Sequence, residues 1–148
     1  MELLASGQPT APTTRPGRGA VGGFVATTGA ALAAAGVLRT VDPHQSGHYP
    51  TCPFLAVTGV WCPGCGSLRA LHDLLHLDLV GGLQRNPLAV AGVAALAVAW
   101  VCWGLRLAGR DAPHPTRIGP RWIWALLGLV LAFAVLRNVP GWTWLSPA

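Results

Sequence analysis

Three of the four cysteines, Cys52, Cys62 and Cys65, lie close together in the chain. Cys62 and Cys65 form a Cys-x-x-Cys pair around Pro63-Gly64, a dipeptide that favours a tight turn. Thiolates at this spacing bind Zn²⁺ in zinc knuckles, where further cysteine or histidine ligands complete a tetrahedron. A structural metal site, with zinc as the candidate ion, is therefore one interpretation of this pattern. Its ligands would be the three cysteines and one nearby histidine, drawn from His48, His72 and His76.

The same cysteines allow two other interpretations. The first is a structural disulfide, which an extracytoplasmic location of the loop would favour. Because three cysteines cannot all pair with one another, the third would stay free, pair with Cys102 or form a disulfide with a second chain. Alternatively, Cys65 directly precedes a predicted helix whose dipole lowers a thiol pKa, which is typical of a thiol–disulfide oxidoreductase using Cys62 and Cys65. No thioredoxin-like βαβ pattern surrounds the pair. A non-enzymatic structural role is therefore preferred, and no catalytic residue is assigned.

A short amphipathic helix is predicted directly after the cysteine pair, with Ser67 as its N-cap and its end at about Leu77. Polar residues recur at helical spacing on one of its faces, and leucines form the opposite face. These polar residues are Arg69, His72, Asp73 and His76. Arg69 and Asp73 are four positions apart, so we expect a structural ion pair between them.

A second short helix, Leu79 to Arg85, is expected to follow with Asp78 as its cap. Asn86 is then expected to cap a long apolar helix, with Pro87 in its first turn. Both Asn86 and Pro87 are therefore assigned structural roles. The first amphipathic helix is too short to span a bilayer and is expected to lie in the interface.

The motifs of this region resemble a bacterial membrane-protein family known as domain of unknown function 2752 (DUF2752). The similarity extends over about residues 48 to 107. It rests on Cys52-Pro53-Phe54, Thr58-Gly59, Cys62-Pro63-Gly64-Cys65-Gly66, Arg69-Ala70, Leu75-His76 with Asp78, and Arg85-Asn86-Pro87-Leu88. The resemblance implies a small integral membrane protein with a cysteine loop before a spanning helix, and it implies no reaction, ligand or partner. Ser67 and His72 depart from the family pattern. Because His72 is not part of that pattern, His76 is the better candidate for a role shared with the family.

The composition also indicates a membrane protein. The chain is 52% hydrophobic and 10% charged and contains no lysine, whereas soluble domains carry about a quarter charged residues. Apolar stretches at 19–38, 88–107 and 122–139 are predicted to be transmembrane helices. The basic residues are scattered arginines, without the clustered pattern of a nucleic-acid surface. The expected fold is therefore an all-α integral membrane protein with three transmembrane helices and a short amphipathic interfacial helix after a cysteine-rich loop.

The remaining segments follow from these spans. They are a disordered tail (1–18), the cysteine loop with its amphipathic helices (39–87), a second loop (108–121) and a C-terminal tail (140–148). Arg137, near the end of the third span, is expected to extend to the lipid headgroups. The first span also fits a cleaved signal peptide, because Arg15 and Arg18 precede it.

The arginines suggest an orientation in the cell membrane. With three spans, six arginines lie on the side of the N-terminus and four on the side of the cysteine loop. The positive-inside rule then predicts a cytoplasmic N-terminus and an extracytoplasmic cysteine loop. The predicted partners are the lipid bilayer and either another membrane protein or a second copy of the chain, since small residues at four-residue spacing in the first span favour helix packing.

Overall fold

The computed structural model describes residues 17–45, 47–113 and 119–141, and every regular element in these ranges is a helix. The helices are α1 (Arg18–Thr40), α2 (Pro53–Thr58), α3 (Ser67–Leu75), α4 (Leu79–Arg85), α5 (Pro87–Leu107) and α6 (Pro120–Leu136). The all-α prediction is therefore confirmed for the described residues. The predicted N-terminal tail up to residue 16, residues 114–118 of the second loop, and the C-terminal tail from residue 142 lie outside them.

Two helices, α1 and α5, are long and apolar enough to cross a membrane, judged by length and composition. Only 6% of the most apolar window of each helix is buried inside the protein. Most of their apolar side chains are therefore at least partly exposed in the part of the chain that the structure describes. The α1 helix lies near the N-terminus, where a signal sequence meets the same criteria.

The prediction of a third span at 122–139 is wrong in both length and limits. The α6 helix begins at Pro120, ends at Leu136 and has 17 residues. At 1.5 Å per residue this gives about 26 Å, which is shorter than a hydrocarbon core of roughly 30 Å. The helix ends early because Arg137 and Asn138 bind the backbone of the cysteine loop instead of extending the apolar stretch.

Aromatic packing joins α1 to α5. The ring of Phe24 lies 5.6 Å from the ring of Trp100 and 5.1 Å from that of Trp103, edge-on to the latter. Gly104 lies under the same phenyl ring, where an added Cβ would come within 3.3 Å of it. Such aromatic pairs contribute about 0.5–1.5 kcal/mol beyond the area they bury. This contact fixes the two long helices beside each other and leaves the cysteine loop at their connected ends.

The helices α3 and α4 meet in a close corner. Ala70 is fully buried, and a Cβ added at Gly82 would lie 3.2 Å from the Ala70 carbonyl oxygen. A residue larger than glycine would therefore push α4 away from α3. Asp78 caps α4 by accepting a hydrogen bond of 2.8 Å from the Gly81 N–H, as predicted.

The predicted capping role of Ser67 is wrong. The N-cap of α3 is Gly66, whose φ of +80° lies in the left-handed region, and no side chain caps this end. Glycine reaches that conformation without steric cost, so the turn before α3 depends on Gly66. Ser67 is the first residue of the helix, and its hydroxyl accepts a hydrogen bond from Asn86.

Leu77 ends α3 in an unfavourable conformation, with a φ of +64°. The Asp78 N–H donates to the Asp73 carbonyl at 2.9 Å, and the Leu77 N–H donates to the Leu74 carbonyl at 3.0 Å. These bonds form a Schellman motif, in which the left-handed position usually holds glycine. Leu77 is 93% exposed, so a smaller residue loses little packing.

We expect Leu77→Gly to raise the free energy of unfolding by about 0.5–1 kcal/mol, because it removes the left-handed strain of a side-chain-bearing residue. The measurement is chemical denaturation of the full chain in detergent micelles. Leu79→Gly is the matched control, since Leu79 is also an exposed leucine but begins α4 and has no left-handed strain for glycine to remove, so it should not raise the free energy of unfolding. Equal destabilisation by both substitutions would contradict the proposed strain.

Candidate metal centre

The sulfur atoms of Cys52, Cys62 and Cys65 come together in the structure. The Sγ of Cys62 lies 3.5 Å from the Sγ of Cys52 and 3.0 Å from that of Cys65. All three sulfurs lie within 4.8 Å of one another. The three cysteines are free thiols. The structure thus groups the cysteines selected from the sequence, with Cys62 in the middle.

The spacing of the sulfurs suits a tetrahedral metal ion. Sulfurs bound to Zn²⁺ at about 2.3 Å in a tetrahedron are about 3.8 Å apart. The three thiols reach that arrangement by local adjustments of about 1 Å, judged against this ideal spacing. A disulfide would instead pair two of the sulfurs and leave the third thiol next to the bond, in position to attack it. The cluster therefore offers three of the four ligands of a zinc site.

Local backbone structure positions each of these thiols. Cys52 is the N-cap of α2, which has Pro53 in its first turn and ends at Gly59 in the left-handed region. The sequence patterns did not predict this six-residue helix. On the other side, the Cys65 N–H donates to the Cys62 carbonyl at 3.1 Å and closes the turn expected from Pro63-Gly64.

The thiols at the two helix starts differ in proton affinity. A hydrogen bond from the backbone N–H of Leu55, followed by one with Cys62, lowers the pKa of Cys52. Burial raises the pKa of Cys65 to about 12, and its hydrogen bond with Cys62 acts in the same direction. The expectation of a lowered pKa at Cys65 is therefore wrong, because desolvation outweighs the dipole of α3. A thiol that stays protonated is a poor nucleophile, so this pKa does not support Cys65 as the attacking thiol of an oxidoreductase.

This difference predicts a pH-dependent order of alkylation in chain stripped of metal by a chelator. The pKa of Cys65 is about 12, whereas that of Cys52 lies below the ordinary thiol value of 9.0. At pH 8 this difference lowers the thiolate fraction of Cys65 roughly 1000-fold relative to that of Cys52, and the higher intrinsic nucleophilicity of the Cys65 thiolate recovers roughly 30-fold of that. We therefore expect iodoacetamide to modify Cys52 at least about 30 times faster than Cys65 at pH 8. Peptide mass spectrometry of timed samples measures both rates. Equal rates in the folded chain would contradict the assignment, and denatured chain provides the equal-rate control.

Asn86 connects the cysteine turn to the start of α5. Its side chain is fully buried. The Nδ2 group donates to the carbonyl oxygens of Pro63 at 2.9 Å and Cys65 at 3.2 Å, and to the Ser67 hydroxyl at 3.1 Å. Its Oδ1 accepts from the Ala89 N–H at 3.0 Å, which confirms the predicted cap. One side chain thereby holds the turn that carries two of the three thiols.

The end of α6 holds the other side of the same loop. Asn138 pairs with both backbone groups of Trp61: its Oδ1 accepts from the N–H at 2.8 Å, and its Nδ2 donates to the carbonyl at 2.9 Å. Sequence reasoning missed Asn138, although a polar pair ending an apolar stretch was the available signal. This contact anchors the residue directly before Cys62.

Arg137 does not extend towards headgroups as predicted, since it is only 2% exposed. Its guanidinium donates to the carbonyl oxygens of Pro63 at 3.5 Å and Arg85 at 3.3 Å. Burial lowers the pKa of Arg137, whereas the neighbouring Cys65 and Cys62 act in the opposite direction. A buried cation beside the cluster favours the thiolate forms that metal binding requires.

A cavity of about 630 Å³ lies beside the cluster and is lined by Cys52 and Cys65 together with Tyr49, Trp61 and Arg69. The cavity is open to solvent and borders two of the three cysteines. Water from it can occupy the fourth position of a zinc ion, as in zinc sites that have three protein ligands.

The predicted histidine ligand lies elsewhere. His76 follows the last residue of α3, and its ring stacks on that of His72 with centroids 4.3 Å apart. Cys65 precedes the start of α3, so the helix separates it from His76 by about 14 Å along its axis. Arg69 and Asp73, the predicted ion pair, contact other groups: Arg69 donates to the Pro43 carbonyl, and the Asp73 carboxylate faces His44 and Arg85.

The model of the family described as "Protein of unknown function (DUF2752)" matches residues 52–100. The match begins at Cys52 and ends within α5, so it contains all three clustered thiols and the Asn86 cap. This match, over about a third of the chain, confirms the resemblance that the motifs indicated. No curated protein and no solved structure matches the chain.

Proposed function

We propose that the chain is a non-enzymatic membrane module whose cysteine loop is locked by a zinc ion bound to Cys52, Cys62 and Cys65. The observation that carries this proposal is the convergence of the three sulfurs within 4.8 Å of one another. Zinc bound to such ligands supplies folding free energy directly. The chain's fourth cysteine, Cys102, lies in α5 and takes no part in the cluster.

The loop needs such a cross-link because it buries little apolar surface. Phe54, Val57 and Val60 are 50%, 86% and 42% exposed. Burial at about 25 cal/mol per Å² therefore contributes less here than in a packed core. Hydrogen bonds from Asn86 and Asn138 fix the backbone around Cys62, and the metal would join that turn to α2. In this role zinc orders the loop, and the loop residues need no reaction chemistry.

The exposed apolar helices support placement in a membrane. Large side chains along α1, α5 and α6 face outward, including Trp122 and Trp124 at 62% and 71% exposure. A soluble monomer rarely exposes a contiguous apolar patch of more than a few hundred Å². We therefore infer that α1 and α5 cross the bilayer with the cysteine loop between them. Docking of another membrane protein and self-association stay predictions from the sequence.

The arginine distribution favours an orientation with this loop outside the cytoplasm. The count of six against four does not require α6 to be a span, because Arg137 hydrogen-bonds to the Pro63 carbonyl and so lies on the side of the loop. A bound zinc ion would protect the thiols there, since free thiols are readily oxidised in that compartment. Membrane-impermeant maleimide added to intact cells and to inverted vesicles tests the orientation after chelation. Labelling of Cys52 only from the cytoplasmic face would overturn it.

Elemental analysis combined with thiol counting tests the zinc lock. Full chain purified without added chelator should carry zinc, and a chelator should release it while making three thiols reactive. Cys102→Ala is the control and should release the same amount of zinc. Four reactive thiols without reductant, and no metal, would contradict the proposal. If reductant but not chelator made the thiols reactive, the loop would be locked by a disulfide and not by a metal ion.

A further inference from the structure

A second group of metal-binding side chains lies near the other end of α3 and consists of Asp42, His44, His72 and Asp73. One ligand atom from each of the first three residues lies within 4.8 Å of those of the other two. Asp73 joins them through its Oδ1, which is 3.5 Å from the Nε2 of His44. We call these four residues the histidine–aspartate cluster. Asp42 and His44 lie outside the segment that the DUF2752 model matches.

Each histidine ring has one nitrogen available to an ion and the other held by an oxygen. The Nδ1 of His72 lies 2.7 Å from the Leu38 carbonyl oxygen, to which it can only donate a hydrogen, so the Nε2 lone pair of His72 is available as a ligand. The Nε2 of His44 faces Asp73 Oδ1, and with the proton on this Nε2 the Nδ1 of His44, which lies 2.8 Å from Asp42 Oδ1, is available as a ligand. Metal-binding histidines are typically held in this way, by a carbonyl or carboxylate that accepts from the other ring nitrogen.

The gap between His72 and Asp42 suits an ion better than a direct hydrogen bond. The Nε2 of His72 lies 3.7 Å from Asp42 Oδ1. Hydrogen bonds between such atoms are about 2.7–3.2 Å long. Ligand atoms bound at about 2.0–2.2 Å around a tetrahedral metal lie about 3.3–3.6 Å from each other.

The surroundings keep these groups in place. The side chains of His72 and Asp73 are only 14% and 13% exposed. Asp42 Oδ1 also accepts from the His44 backbone N–H at 2.8 Å, which fixes the turn after α1. The Nε of Arg85 lies 3.9 Å from the Asp73 carboxylate and offsets part of its negative charge.

We propose that Asp42, His44 and His72 bind a divalent transition-metal ion of the zinc class, with Asp73 as the carboxylate partner of the His44 ring, in addition to any ion at the thiols. Two imidazoles and carboxylate oxygens form a donor set suited to zinc, cobalt or ferrous iron. His72 lies about 8 Å along α3 from its first residue, Ser67, and Cys65 precedes that start, so the two sites are separate. The ion would tie the chain after α1 to α3, and this proposal does not depend on the thiol site.

Cobalt titration of the chelator-stripped full chain in detergent micelles tests this proposal, with Co²⁺ as a coloured probe. Thiolate ligands give an intense sulfur-to-cobalt charge-transfer absorption, whereas nitrogen and oxygen ligands give only weak ligand-field bands. We expect the histidine–aspartate cluster to bind one equivalent of Co²⁺ without the charge-transfer absorption. The His44→Ala/His72→Ala variant should lose this equivalent, while any charge-transfer absorption from the thiols is unchanged. The Cys62→Ser variant should still bind this equivalent.

Two further variants keep the result interpretable. His48→Ala is the matched control, because His48 is in the same loop but contacts only the Asp42 carbonyl among these residues. It should bind cobalt as the unmodified chain does. Asp42→Asn removes a carboxylate from a turn and should raise the Kd at least about tenfold, even if the double histidine variant fails to fold. Unchanged cobalt binding in Asp42→Asn or in a folded His44→Ala/His72→Ala variant would overturn the proposal.

Discussion

Asn86→Ala should lower the free energy of unfolding by about 3 kcal/mol, because it removes a helix cap and leaves buried carbonyls without a donor. The loss of the cap to the Ala89 N–H costs about 1 kcal/mol. The Cys65 carbonyl and, in part, the Pro63 carbonyl then lose the Nδ2 donor of a fully buried side chain. Each unsatisfied buried group costs about 1–3 kcal/mol.

Chemical denaturation of the full chain in micelles, followed by circular dichroism, measures this loss. Asp78→Ala is the matched control, because Asp78 is an exposed cap that accepts from the Gly81 N–H. It should cost only about 1 kcal/mol. Asn86→Asp keeps the cap acceptor but replaces the donor with a carboxylate facing carbonyl oxygens, so it should also be strongly destabilising. Equal losses in Asn86→Ala and Asp78→Ala would show that Asn86 is a cap and nothing more.

The second large effect is expected for Cys62→Ser, which should raise the Kd for zinc at the thiol site at least about 100-fold. Structural zinc sites bind with about 10–16 kcal/mol, so one of four ligands contributes roughly 3 kcal/mol. Cys62 is the best position for this substitution because its sulfur lies between the other two, 3.5 Å from that of Cys52 and 3.0 Å from that of Cys65. Serine keeps the size of the side chain and removes the soft thiolate.

Competition with a chromophoric zinc chelator measures this change. Cys102→Ala is the control, since Cys102 is buried in α5 and lies outside the cluster. It should leave the zinc affinity of the thiol site unchanged. If Cys62→Ser retained the affinity of the unmodified chain, the three thiols would not form a common site.

The sequence predicted the elements that have strong local signals. Asp78 and Asn86 were recognised as caps because an acceptor side chain directly precedes an amphipathic or apolar helix. The positions of α1, α3 and α5 followed from hydrophobic periodicity and length. The grouping of Cys52 with Cys62 and Cys65 was also anticipated, since a Pro-Gly turn brings the last two together.

Errors arose where distant contacts decide the outcome. Arg137 and Asn138 look like the end of a lipid-facing helix, but their hydrogen bonds go to a loop more than seventy positions earlier in the chain. The pKa of Cys65 depends on its burial, which no local pattern reports. His76 was placed with the thiols because both belong to one motif, whereas α3 holds them apart.

The two groups of candidate metal ligands lie at opposite ends of α3, which suggests that this helix has a structural role. Its start adjoins the thiol turn, and its last turns carry His72 and Asp73. Arg39 of α1 also donates to the carbonyl of Leu75. The helix therefore connects the end of α1 to the start of α5, and ions at either end would stiffen that connection.

Zinc X-ray absorption tests the central claim most directly. His44→Ala/His72→Ala chain loaded with one equivalent of zinc isolates the thiol site from the histidine–aspartate cluster. The proposed lock predicts three sulfur ligands at about 2.3 Å and one lighter atom at about 2.0 Å. A shell of only nitrogen and oxygen atoms, or failure to retain zinc at all, would contradict it.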